Sequence, residues 1–318
     1  MEDDDFKESQ PKKMCTEHSS PDAGVSTSIE DDSLSTNEID RQKAAIKIAK
    51  IWEDQIAPWS HYFIAKVYGT SITYGDIYSL KKNSWVTDKI MDAYLELVAN
   101  REMANGIKIK HMLVTTTNNI LNGEYVPARN DKNILMSTEF IIGAYHQSGS
   151  HWDLLIIEPL NGRIIFLNPM GETDFQMRTV PLRWKKFIEQ LLLQFPADAA
   201  VIDKEWNLEV PTHSKQQDGS SCGIYCLMFA DKYLARTSLH ITPAESNQKR
   251  KSIARSLMMF EGYMEGCCPC CGYHTNPVAE PLVKCITCCK FFHKKSHCVG
   301  ENVDQLNLTE FTCALDRV

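Results

Sequence analysis

No stretch of the 318-residue chain reaches the roughly 18 consecutive apolar residues that cross a bilayer as a helix. The opening, Met1-Glu-Asp-Asp-Asp, is acidic and has no apolar run of the signal-peptide kind. Positive charge is also short: 34 Lys and Arg stand against 41 Asp and Glu, a net charge of −7. No overall field therefore draws the chain to nucleic acid, and direct nucleic-acid binding is not indicated. Repeats of solenoid length are missing as well. These gaps predict a cytosolic or nuclear protein with no membrane attachment.

Apolar residues make up 43% of the chain, enough for an ordinary core, and there are twelve cysteines. Nine of the cysteines fall between Cys267 and Cys313. In a reducing compartment disulfides are not expected, and close CxxC pairs with a nearby histidine read as metal ligands.

Composition divides the chain into four parts. Residues 1–40 are acidic, rich in Ser and Thr and poor in aromatics, which predicts disorder. Residues 41–240 carry the pattern of one domain. Apolar residues from Ala44 to Trp52 suggest a helix ending before Pro58. A second helix is predicted over residues 88–99, a third over 180–195 and a more buried one over 222–234. Short apolar runs at 140–145, 152–157 and 163–167 read as buried strands, with Asn161-Gly162 as a two-residue hairpin turn between the last two. Residues 241–261 read as a linker that becomes helical, and 262–318 as a cysteine-rich module. The fold class expected is α+β.

The run Gln216-Gln-Asp-Gly-Ser-Ser-Cys222-Gly223 leads into the buried helix. A cysteine at a helix N-terminus faces the positive end of the dipole, which favours its thiolate. His151 opens a strand, and Asn168 closes the next one 17 positions on. Antiparallel pairing of those strands puts the two at the same end of the hairpin, as a base and its orienting group require.

With those residues in place, the chain resembles the SUMO-specific (sentrin-specific, Ulp-type) cysteine proteases. The resemblance is carried in order by Ile72-Thr-Tyr-Gly-Asp-Ile-Tyr-Ser-Leu80, Trp85-Val-Thr-Asp88, the His151-Trp152 strand, and residues 216–225. It spans about residues 70–236 and implies a papain-like fold that cleaves after the Gly-Gly C-terminus of a ubiquitin-like modifier. It implies Cys222 as nucleophile, His151 as base, Gln216 (favoured over Gln217) as oxyanion donor, and Trp85 and Trp152 as walls of the channel for the Gly-Gly tail. Asn168 departs from the family's usual aspartate. A Cys-His-Asn set is still competent, though a neutral amide stabilises an imidazolium less than a carboxylate would. Glu158, Glu172 and Asp174 are nearby in sequence, but none holds the matching strand position.

The tail resembles a PHD finger through Cys268-x2-Cys271, Cys285-x2-Cys288, His293, Cys298 and Cys313. That resemblance implies two structural zinc ions in cross-braced order, one on Cys268, Cys271, His293 and Cys298, the other on Cys285, Cys288, Cys313 and a last ligand for which Asp316 is the candidate. The first pair could slip to Cys267 and Cys270, and His297 could substitute as a ligand. Zinc plays no part in the proteolytic chemistry. PHD fingers often read histone tails, so the nucleus is favoured over the cytoplasm, with a chromatin protein as partner beside the SUMO-like modifier and its conjugates. Two other readings stay open: a polyprotein-processing protease of a virus or mobile element, and a catalytically weak modifier-binding module.

Overall fold

The computed structural model describes residues 36–53, 60–127, 134–196, 204–300, 303 and 310–313. Helix α1 (Thr36–Glu53) leads into a hairpin of β1 (Phe63–Val67) and β2 (Thr70–Thr73), then α2 (Tyr74–Ser79), α3 (Asp88–Ala104), β3 (Ile109–Met112), α4 (Val114–Asn122) and α5 (Ile134–Ser137). Next come β4 (Phe140–Gln147), β5 (His151–Glu158), β6 (Arg163–Leu167), α6 (Asp174–Gln194) and β7 (Asn207–Glu209). The chain then forms α7 (Cys222–Leu234), α8 (Pro243–Met258), a hairpin of β8 (Leu282–Lys284) and β9 (Phe291–His293), and the short α9 (Ser296–Val299).

Strands β3 to β7 form one sheet in sequence order, antiparallel in the middle and parallel at both edges. The apolar runs of β4, β5 and β6 are nearly unbroken because both faces are covered. Trp152, Leu154, Ile156, Ile165 and Leu167 pack in the core that contains α3, α7 and α8. Leu155, Ile157, Ile164 and Phe166 point the other way, to Trp184, Ile188 and Leu191 of α6.

Several expectations are corrected. Helix α1 starts at Thr36, inside the segment expected to be disordered; residues 1–35 lie outside the described residues. Helix α6 begins at Asp174, six residues before the predicted start, because Thr173 and Gln176 form a reciprocal capping box and Pro181 sits inside the helix. The β5–β6 connection has four residues: Pro159–Asn161 make a 3₁₀ turn, and Gly162 follows at φ +63°. A Cβ on Gly162 would stand 2.5 Å from the Glu205 carbonyl oxygen, so the glycine also admits the approach to β7. Residues 241–261 do become helical, as α8, but they pack rather than link: Arg250, Ile253, Ala254 and Leu257 are buried. Nor does packing stop at residue 262: Val283, Phe292 and Phe311 belong to the same core as Ile253, Ala254 and Leu257. The Phe63 N–H donates to the Pro269 carbonyl at 2.7 Å, and the Tyr62 and Phe292 rings lie 6.0 Å apart.

Candidate active site and cysteine-rich cluster

Cys222 is the first residue of α7 and is 3% exposed. Asp218 shapes the approach: its carboxylate accepts from the Ser220 and Ser221 N–H groups at 2.7 and 2.8 Å and from the Ser221 hydroxyl at 2.8 Å. Gly223 fits because a Cβ there would be 3.1 Å from both Trp152 Cδ1 and Val86 Cβ. Arg250, buried in α8, donates to the carbonyls of Lys81, Ser84 and Ser220 and so ties the segment before Trp85 to the loop before Cys222. The Trp85 indole completes the tie by donating to the Gly219 carbonyl at 2.9 Å.

His151, at the start of β5, stands beside Cys222, whose thiol acts on the imidazole and favours its protonated form. Its Nε2 lies 2.8 Å from Asn168 Oδ1. The amide is oriented by its neighbours: Met170 N–H donates to Oδ1 at 2.8 Å, and Nδ2 donates to Gln176 Oε1 at 3.1 Å. An amide oxygen only accepts, so His151 Nε2 carries the proton and Nδ1 is left for the sulfur. The structure thus brings Cys222, His151 and Asn168 together as the sequence suggests.

Two residues escape the sequence reading, Asp153 and Gln176. Asp153 Oδ1 lies 3.3 Å from His151 Nε2, and Asp153 has no solvent exposure. The acids near Asn168 in sequence, Glu158, Glu172 and Asp174, do not include it. Side chains alternate along a strand, however, so 151 and 153 share a face. Leu154 pairs with Leu167, and the next rung of that ladder sets Asp153 opposite Asn168. The signal was present in His-Trp-Asp itself. Gln176 was also missed: its Nε2 donates to Gln147 Oε1 at 3.0 Å and to Asp153 Oδ2 at 3.2 Å, while its Oε1 takes the Asn168 amide. Burial alone would lower the His151 pKa, but Asp153, Cys222 and Asn168 outweigh it and raise it to about 10. Burial pushes the Asp153 carboxyl above its ordinary range, against the pull of His151.

The remaining predicted residues are placed less simply. Gln216 is half-buried, with its Nε2 donating to the Asp218 carbonyl at 2.6 Å; Gln217 is exposed. Trp85 is 53% exposed beside the Cys222 loop, whereas Trp152 is 3% exposed. The Trp152 indole donates to the Val86 carbonyl at 3.0 Å and stacks on His146 at 4.1 Å between ring centres. Of the two, Trp85 has the surface for a channel wall and Trp152 can offer only an edge.

In the tail, the ligand atoms of Cys268, Cys271, His293 and Cys298 lie within 4.8 Å of one another, and so do those of Cys285, Cys288 and Cys313. Both groupings match the cross-braced order. His293 Nδ1 faces Cys271 Sγ at 3.2 Å, and its Nε2 is 3.2 Å from the His274 carbonyl, an outer partner of the kind that orients a ligating imidazole. The alternatives are set aside by geometry: Cys267 pairs with His274, Cys270 Sγ donates to the His297 carbonyl, and His297 is exposed. Asp316 lies outside the described residues. Burial and the neighbouring Cys268 and Cys271 push the Cys298 thiol far up. Such crowding is unfavourable for thiolates alone and suits a shared divalent cation, so the donor set fits zinc.

The sequence profile described as the Ulp1 protease family, C-terminal catalytic domain, matches residues 84–260, more than half of the chain. The chain belongs to the Ulp1 protease family. Among curated proteins it is 25% identical over 211 residues to sentrin-specific protease 2 of Pongo abelii and 23% identical over 202 residues to that of Homo sapiens. Each match covers 62% of this chain and 33% of the relative, so the chain spans about a third of the length of these relatives. Solved structures share the Ulp1 fold. A Chaetomium thermophilum Ulp1-like SUMO protease catalytic domain aligns with a TM-score of 0.55 at 18% identity, over 69% of this chain and 89% of that one. The Ulp1 protease domain in complex with SMT3, the yeast ortholog of SUMO, aligns with a TM-score of 0.54 at 15% identity, over 69% and 95%. The Ulp1 family match ends at residue 260, so the Cys/His clusters lie beyond it.

Proposed function

We propose that this chain is a cysteine peptidase that cleaves after the Gly-Gly C-terminus of a SUMO-like modifier, in precursor processing or in release from conjugates. The observation that carries the reading is the Cys222–His151–Asn168 set at a helix N-terminus inside a Ulp1-family domain. The Cys222 thiolate adds to the carbonyl carbon after the second glycine, and the negative charge moves to the carbonyl oxygen. The first N–H groups of a helix have no intrahelical partner, so Cys222 N–H is free to meet that oxygen. Gln216 Nε2 joins it once substrate displaces the Asp218 carbonyl. As the tetrahedral adduct collapses, the carbon–nitrogen bond breaks and the His151 proton passes to the leaving amine. Water, deprotonated by the now neutral His151, then hydrolyses the thioester and restores the thiol. Trp85, 53% exposed beside the Cys222 loop, would pack against the Gly-Gly tail and disfavour bulkier residues there.

A SUMO carrying a C-terminal vinyl sulfone is the direct test, with a ubiquitin probe beside it. The expected result is a covalent SUMO adduct mapped to Cys222 and absent in Cys222→Ser. Labelling elsewhere, or of neither variant, overturns the reading and favours a binding module.

The reading extends to the tail as a zinc-stapled, PHD-like finger with Cys268, Cys271, His293 and Cys298 on one ion and Cys285, Cys288 and Cys313 on a second. Zinc would supply structural cross-links there and no catalytic chemistry. A histone-reading role gains no support: Phe292 is core, Tyr273 and Phe291 are exposed, and no ring contact joins them among the described residues. A nuclear or cytosolic site of action stays part of the proposal. Among the described residues no helix is long and apolar enough to cross a membrane.

A further inference from the structure

We propose that Asp153 is the positioning carboxylate of this site, supplying from the histidine's own strand the negative charge that Asn168 cannot. The inference rests on the peptidase reading and deepens it. Its geometric basis is the pair of contacts at one ring nitrogen: Asn168 Oδ1 at 2.8 Å and Asp153 Oδ1 at 3.3 Å. The amide takes the better-aligned hydrogen bond, and the carboxylate sits behind it as the counter-charge.

Burial argues for the same role. A carboxylate with no exposure is costly unless a cation or several donors meet it. Asp153 Oδ2 receives one neutral donor, Gln176 Nε2, while Oδ1 has no hydrogen bond. Among the described residues its only ion-pair partner is His151. A purely structural aspartate would cap a helix or bind backbone N–H groups, as Asp218 does. Instead Gln176 clamps Asp153 and Asn168 to each other, so the two acceptors present a fixed pair to the imidazole.

The other candidate acids are committed elsewhere. Glu172 accepts from the Asn168 N–H at 2.8 Å and lies 3.3 Å from His213. Glu158 is taken up by Arg163, Asn161 and Tyr233. The titratable groups facing the His151–Asp153 pair are Tyr145 and His146 from β4, Glu172 from the loop after β6, and Cys222 and Cys226 from α7. None of these is a cation that could replace His151 as the partner of Asp153 at neutral pH.

The test uses the full chain and four proteins: wild type, Asp153→Asn, Asn168→Asp and the double swap of both. Two readouts are taken, the pH profile of kcat/KM on a fluorogenic SUMO C-terminal substrate and the NMR titration of the His151 ring nitrogens. Asp153→Asn keeps the shape and removes the charge. We expect kcat/KM to fall about tenfold or more, mainly in kcat. The alkaline limb and the His151 titration should both move down by about one pH unit or more. The swap should bring both back toward wild type, because a carboxylate again meets Nε2 from position 168. An unmoved limb and titration in Asp153→Asn, or a folded swap with no recovery, overturns the proposal. Should Asp153→Asn fail to fold, Asp153→Ser is read in the same way. A wild type that cleaves no modifier substrate sinks the peptidase reading alone, since the ring titration still decides the role of Asp153.

Discussion

Cys222 and Cys226 stand one helical turn apart on α7, and their surroundings separate their roles. Cys222 meets His151, whereas Cys226 has no exposure and its Sγ donates to the Trp152 carbonyl at 3.3 Å. Burial, then the nearby charges of Asp153 and Cys222, holds the Cys226 thiol well above its usual range. Cys226→Ser should therefore keep vinyl-sulfone labelling of Cys222 while costing about 1–2 kcal/mol in urea unfolding. Loss of labelling in a folded Cys226→Ser protein would contradict that division. A pH dependence follows from His151 too. Its folded pKa of about 10 exceeds its ordinary 6.5, so the stabilisation is full below about 6.5 and is lost as pH rises toward 10. Denaturant midpoints measured from pH 6 to pH 10 should fall for wild type and fall less for His151→Gln. The sequence made Cys222, His151 and Asn168 legible because each lies at the end of a strongly patterned element. Asp153 was hidden because a polar residue inside an apolar strand looks like interruption until the ladder shows what stands opposite.

At the scale of elements, α8 shows what the sequence concealed and what it costs to disturb. Its polar, basic composition reads as a linker, yet Arg250 is 1% exposed and donates to three carbonyls on two separate loops. Burial lowers the Arg250 pKa, while Asp218 and Cys222 act in the opposite direction. A charged side chain that satisfies loop carbonyls leaves no hydrophobic periodicity to find, and only the fold reveals its partners. Arg250→Met should cost roughly 3 kcal/mol by leaving those carbonyls unsatisfied. It should also raise KM for the modifier more than it lowers kcat, because Trp85 and the Gly219 loop lose their common anchor. Equal KM values in a folded variant would count against this account. The early start of α6 was obscured in a related way: Pro181 resembles a first-turn proline, and the Thr173–Gln176 box only becomes decisive once Gln176 is seen bonding to Asn168 and Asp153.

At the scale of the whole molecule, the cysteine-rich tail and the peptidase share one core. Phe292 packs on Tyr62 just before the β1–β2 hairpin and on Phe311 of the tail, and Gly272 lies against the Phe63 ring. The CxxC spacing made the ligand groups legible, but no periodicity could announce the surface they pack on. Zinc binding in such small modules is worth about 10 kcal/mol or more of folding free energy. We expect native mass spectrometry to find between one and two zincs per chain, the three-cysteine group losing its ion first. Full chelation, or Cys271→Ser, should lower the melting temperature of the whole chain in one transition and open residues 60–73 to limited proteolysis. Two independent transitions would show that the modules fold apart.

The contact between Tyr62 and Phe292 has a temporal meaning as well. Synthesis runs from the N-terminus at about 5–20 residues per second. The 230 positions between the two rings (292 − 62) therefore take about 10–50 s to appear. Throughout that interval the β1–β2 hairpin lacks the part of its cover that the tail supplies, and the Tyr62 ring is left open to association with other nascent chains. Ribosome-bound chains stopped before residue 292 should thus recruit holding chaperones at the hairpin, and release them only when the cysteine-rich tail that carries Phe292 has emerged.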